Sequence, residues 1–180
     1  LFYRNTAATP VAPVNATTAD GSYGIGDVIN LSIGFSEAVV VETTGGTPTL
    51  GLETGSTDRY ATYASGSGSS TLTFQYTVQE GDTSSDLDQL SSTALALNGG
   101  TINDAAGNAA ILSLAAPGDA GSLGANADLV IETVAPTVTG VSSTSTDGSY
   151  GIGDVINLSI GFSEAVVVET TGGTPTLGLE

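Results

Sequence analysis

The side chains best placed to do chemistry are carboxylates, and they gather in turns. Asp82, Asp86 and Asp88 follow one another as D-x-x-x-D-x-D, and Asp104 and Asn108 bracket a turn at Gly107. Calcium takes six to eight hard oxygen ligands from carboxylates, amide carbonyls and backbone. The first loop could supply three carboxylates and the second loop two further oxygens. Asp82, Asp86, Asp88, Asp104 and Asn108 are therefore the candidate metal ligands, and Ca2+ the candidate cofactor. Asp27 and Glu37 flank the stretch Val28–Phe35. Eight extended residues span about 26 Å, so those two should not share an ion. A plainer reading stands beside the calcium one: acidic turns keep a β protein soluble and its sheet edges unpaired.

Other chemistries are excluded or weakly supported. The 180 residues include no His, Cys, Met or Trp, and the only two basic residues are arginines, Arg4 and Arg59. Disulfides, thiolate metal sites, histidine-based triads and lysine Schiff bases are out of reach of this chain. Two facing carboxylates could suggest glycoside hydrolysis, but such sites sit in clefts with aromatic platforms. No enzyme is expected. The formal net charge of −17 repels nucleic acid and anionic membranes and makes divalent cations the natural partners. Apolar runs reach four residues, as in Ala38–Val41, so no membrane span is expected. The first residues do not read as a signal peptide, so an export signal is expected outside this stretch. Gly21–Asp27 (GSYGIGD) is glycine-rich but precedes a strand pattern and is acidic where phosphate would sit, so it reads as a turn.

The elements that must carry these loops are strands. Ile29, Leu31, Ile33 and Phe35 alternate with small or polar residues, as do Leu72, Phe74, Tyr76 and Val78. Fainter strand patterns cover 11–17, 38–42, 49–53, 59–64, 93–97, 109–114 and 129–133. Glycine-rich turns separate them, among them Gly45-Gly46 and Asn98-Gly99-Gly100. One stretch, 86–96, is the sole helix candidate, weakened by Ser91-Ser92. Seven to nine short strands spaced by turns predict an all-β, antiparallel β-sandwich.

The sequence also repeats itself. Asp20–Glu53 and Asp147–Glu180 are identical over 34 residues, at an offset of 127. Weaker matches continue upstream, with Val11 facing Val138 and Val14 facing Val141. Self-similarity at a fixed period marks an array. A period this long suits beads with separate cores better than a solenoid. The expected organisation is 1–7 as the last strand of a preceding repeat, 8–134 as one complete repeat, and 135–180 as the first third of the next. Thr133-Val134-Ala135-Pro136 would be a stiff joint.

Four stretches carry a resemblance: Gly26–Val39, Thr71–Asp88, Leu97–Asn108 and the Glu132–Val138 joint. Together they resemble the bacterial immunoglobulin-like tandem repeats of giant secreted and cell-surface adhesins. The resemblance implies immunoglobulin-like sandwiches in tandem, located extracellularly or on the cell surface. It implies spacing, adhesion or matrix formation, often with calcium. Relatives of that kind frequently carry Asp where this chain has Glu132.

The last 46 residues hold three or four strands of a sandwich and cannot bury both faces of their sheet alone. Something is expected to complete them, either a continuing chain or a strand donated by a neighbouring copy. Covered side chains at Leu158, Ile160 and Phe162 would mark that completion. The expected function is thus a structural, filament-forming or spacer module whose partners are further repeats or copies of itself. Two alternatives remain: a filament assembled by strand complementation between copies, and a carbohydrate- or surface-binding module presenting Tyr23, Tyr60, Tyr63 or Phe74.

Overall fold

The computed structural model describes residues 13–179. The expected strand at 1–7 lies outside them. The chain forms two compact units that divide between Thr133 and Val134.

In the first unit ten strands follow in order: β1 (Asn15–Ala16), β2 (Gly21–Tyr23), β3 (Val28–Glu42), β4 (Thr49–Leu52), β5 (Arg59–Ser65), β6 (Ser69–Thr77), β7 (Thr83–Ser84), β8 (Leu95–Ala96), β9 (Thr101–Asp104) and β10 (Leu129–Glu132). No helix occurs among the described residues, so the protein is all-β. The larger sheet runs β1-β3-β6-β5-β4-β8, with β9 sharing the β1 side of β3. Every pairing in it is antiparallel. The smaller sheet runs β2-β10-β7. There the first and last parts of the unit meet in parallel, Leu129 opposite Gly21 and Ile131 opposite Tyr23.

The spine is β3, 15 residues long. Its first half pairs with β6 from Val28↔Thr77 to Gly34↔Thr71. The register then slips between Gly34 and Val39, and the second half pairs with β9. Ile29, Leu31, Ile33 and Phe35 before or at the slip, and Val39 and Val41 after it, are all buried. From β6 come Leu72, Phe74 and Tyr76, and from β10 Leu129 and Ile131; they join the same cluster with Leu50, Leu87, Ile102 and Leu123. Two sheets thus bury one shared core, the arrangement of a β-sandwich.

Several local expectations are corrected. The stretch 86–96 is not helical but an irregular segment with a turn at 92–93 that ends in β8, laid along the edge of β4, which takes several of its backbone bonds. Leu90 N donates to Gly51 O, Gly51 N to Ala94 O and Glu53 N to Asp88 O, each at 3.0 Å. Residues 109–114 form no strand. They make a single bridge, Asn103↔Ala109, and isolated bonds such as Ala110 N to Ile102 O. Their neighbour β9, paired with β3 along one edge, is only four residues long and offers them a short ladder. Strands 28–35 and 38–42 are one strand, and β2, β7 and β9 are additional.

Two glycine turns interlock backbone to backbone. A side chain on Gly46 would overlap the Asn98 carbonyl oxygen, and one on Gly45 the Gly99 oxygen. Glycine is the residue that lets two chains approach this closely.

The second unit contains β11 (Val138–Ser143) and β12 (Leu158–Phe162), an antiparallel pair. Ser142↔Ser159 and Ser143↔Leu158 reproduce, at the 127-residue offset, the Asn15↔Ser32 and Ala16↔Leu31 register of the first unit. Leu158, Ile160 and Phe162 face solvent. Among the described residues β12 pairs with β11 alone, and these side chains are uncovered, contrary to the expectation of covered ones.

Candidate functional site

The five sequence-selected ligands do not converge. The structure divides them among three places.

Asp82 is fully buried under β6. Arg59 Nε donates to its Oδ1 at 2.7 Å, and the Tyr76 hydroxyl donates to Oδ2 at 2.6 Å. Gln79 N adds a third bond to Oδ2 at 2.8 Å. Burial alone would raise the Asp82 carboxyl. The bonds from Tyr76, Arg59 and Gln79 N outweigh it and hold the group below the usual carboxylate value. Conversely, burial and the adjacent carboxylate push the Tyr76 phenol well above its ordinary value. The backbone of the same turn is tied to the end of β10, with Thr133 Oγ1 donating to Asp82 O at 2.7 Å. Asp82 is thus the anchor of a polar knot joining β5, β6 and β10, and both its oxygens are engaged by protein donors.

Asp104 closes its own loop. Its Oδ1 accepts from Ala106 N at 2.8 Å and Asn108 N at 2.9 Å, while Asn108 Nδ2 donates to Oδ2 at 2.6 Å. The Asn108 side chain first, then these backbone N–H groups, lower the Asp104 carboxyl. Asp104 and Asn108 serve each other as a self-capped turn around Gly107, whose φ is +87°.

Asp86 and Asp88 do come together. The Oδ2 atoms of both flank Gly124, where an added Cβ would meet them at 3.3 and 3.2 Å. Asp88 also accepts from Gln89 N at 2.8 Å and Gly118 N at 2.9 Å. The parallel pairing of β2 with β10 adds two acids that sequence reasoning missed as partners. Asp20 Oδ1 accepts from Asp128 N at 3.0 Å, and Gly21 N donates to Asp128 O. Asp20, Asp86 and Gly124 to Asp128 line one open depression. Burial first, then the charges of Asp128, Asp88 and Asp20, raises the Asp86 carboxyl. No local pattern flags Asp20 and Asp128, which sit 108 residues apart; a parallel first-to-last strand pairing would have done so. Among the described residues, no three acidic side chains converge closely enough to hold a metal ion as placed.

The aromatics divide as well. Phe74 is buried, and Tyr63 packs edge-on against it with ring centroids 5.9 Å apart. Tyr23 is half-buried and its hydroxyl donates to Ala19 O. Tyr60, 60% exposed, lines a second open depression with Thr49, Ala96 and Asn98.

No family profile, curated protein or solved structure matches this chain. No helix among the described residues is long and apolar enough to cross a membrane.

Proposed function

We propose that the chain is a stretch of an extracellular or surface-attached array of immunoglobulin-like β-modules whose task is mechanical: spacing, or forming a filament. One observation carries the reading. The 34-residue identity recurs at a step of 127, and between its two copies lies the remainder of one closed β-module. Duplicated autonomous modules serve length and repetition. The composition suits exposure, with no thiol or thioether to oxidise and a charge of −17 to keep neighbouring arrays apart. Within this reading the chain has no catalytic role.

Divalent cations act here on the crowded end of the module. Asp20, Asp86, Asp88 and Asp128 repel one another, and Ca2+ between them would relieve that repulsion and stiffen the loop ends. Electron microscopy of assembled material from the source tests the mechanical reading. It should show beads at a period of about 40–50 Å, near the length of 15 extended residues. Isolated compact particles without periodicity would overturn it.

A glycan- or surface-binding module is the second reading, favoured by the exposed Tyr60 ring beside Thr49 and Asn98. Binding to a glycan array that disappears in Tyr60→Ala would support it over the first.

A further inference from the structure

Charge is spread unevenly over the first unit. β1, β4, β5, β6, β8 and the first half of β3, Val28 to Gly34, contain one charged residue, Arg59. Its guanidinium turns inward to buried Asp82. The acids of the unit lie in loops, in the far half of β3, and in β9 and β10. The outer face of those strands is therefore uncharged, in a chain whose formal net charge is −17.

The register shows what this face presents instead. The apolar residues of β3 and β6 alternate inward, so the residues between them face out. Ala96 pairs with Thr49, Thr49 with Thr62, Thr62 with Gln75, and Gln75 with Asn30. They form one rank across five strands, about 19 Å long at roughly 4.8 Å per strand. At one end Gln75 Nε2 donates to Asn30 Oδ1 at 2.9 Å, which fixes two amides. At the other end stands Tyr60, two residues from Thr62 on β5 and hence on the same face, 60% exposed. Its ring borders the open depression lined by Thr49, Ala96 and Asn98. Asn98 Nδ2 donates to Thr49 Oγ1 at 2.8 Å and to Thr47 O at 3.0 Å, holding that wall in place.

We propose that this rank, with Tyr60 at its head, is a binding track for a neutral polysaccharide. The inference rests on the glycan-binding reading above and adds the ligand class and its path. Three features select this occupant. The Tyr60 ring offers a flat apolar surface on which the C–H face of a sugar can lie. The threonine hydroxyls and the two amides both donate and accept, which suits a ligand carrying hydroxyls along its whole length. An uncharged chain brings no ion to desolvate on this face, whereas an anionic one would meet the field of the surrounding acids. A protein partner docked through an apolar patch fits less well, because the rank presents no large apolar side chain besides Tyr60.

The test is affinity electrophoresis of the 180-residue chain through gels containing hydroxyethylcellulose, galactomannan or dextran as neutral polymers, or alginate as an anionic one. Retardation by at least one neutral polymer, and none by alginate, is expected. Tyr60→Ala should weaken binding about tenfold by removing the platform. Gln75→Glu should weaken it about as much, because it sets a carboxylate in the middle of the track. Both side chains are exposed, so both variants should keep the parent's melting temperature. Binding lost in Tyr60→Ala but unchanged in Gln75→Glu refutes the track and leaves the glycan reading standing. Equal or stronger retardation by alginate refutes the neutral ligand class. Retardation by no polymer refutes both the proposal and the reading beneath it. Self-association in sedimentation that Gln75→Glu abolishes would make the face a contact between copies and overturn the proposal.

Discussion

Leu31 and Leu158 allow one substitution to be made twice in the same local sequence. Leu31 is completely buried between the two sheets, and Leu158, its counterpart in the second copy, is 41% exposed. Truncating a fully buried leucine to alanine removes its transfer free energy and leaves a cavity, about 2.7–5 kcal/mol together. The first unit has about 120 described residues. At roughly 2.1 cal/mol/K per residue, its unfolding entropy is about 0.25 kcal/mol/K. A loss of about 3 kcal/mol therefore lowers the melting temperature by about 12 °C. Leu158→Ala removes contacts from a surface with no covering layer, worth at most about 0.5 kcal/mol, or a shift of about 2 °C. Scanning calorimetry of the parent and the two variants gives the comparison directly. Equal shifts would refute the reasoning, because they would mean that 147–180 has a core of its own in solution. Helix propensity, strand propensity and neighbours in sequence are the same at the two sites, so no local explanation could account for unequal ones.

Further expectations concern the polar groups and the interlocked turns. Arg59→Ala leaves buried Asp82 with two of its three donors. It should cost about 2–3 kcal/mol, below the usual figure for a broken buried pair because the guanidinium is 25% exposed; chemical denaturation measures it, and a neutral result would show that the pair contributes nothing. The lowered Asp82 and Asp104 carboxyls contribute stability that is present above the usual value of 3.8 and lost as pH falls below it, since the unfolded chain then takes up protons first. Asp86 has the opposite sign: its raised carboxyl favours folding at low pH and loses that contribution as pH rises through the window just above 3.8. Melting curves from pH 2 to 7 should therefore show a steep acid limb, and Asp86→Asn should raise stability at pH 7. Added Ca2+ should raise the parent's melting temperature and chelator reverse it, the response shrinking in Asp86→Asn; an identical response in the variant would place the cation elsewhere. Gly46→Ala should destabilise strongly, because the new methyl group meets the Asn98 carbonyl, whereas Gly173→Ala meets open space; thermal melts that do not distinguish them would contradict the interlocked turns.

What the sequence disclosed, and what it hid, follows the range of the forces involved. The alternation of Ile29 to Phe35 and of Leu72 to Val78 is local, and both stretches are strands with those residues inside. β2, β7 and β9 are two to four residues long and are strands because distant partners offer them a ladder. The second copy makes this visible. Asn157 N still bonds Ser145 Oγ and Gly151 N still bonds Asp154 Oδ2, as Asn30 and Gly24 do in the first copy. Yet 148–150 and 176–179 form no strands there, having no β10, β5 or β8 to pair with. The acids follow the same division. The turn at Gly107 is legible in D-A-A-G-N, but its Asp104 and Asn108 read there as metal ligands, whereas they bond each other and the loop's own backbone. The burial of Asp82 beneath Tyr76 and Arg59, and the meeting of Asp20 with Asp128, depend on how the sheets close.

The central claim is that these identical segments differ only in what covers them. Residue-resolved amide exchange by NMR on the 180-residue chain, with the two copies assigned separately, addresses it most directly. The account predicts slow exchange across 28–42 and 49–52, and fast exchange across 147–180 apart from the β11–β12 ladder. Matching protection in both copies, or none in either, would contradict it.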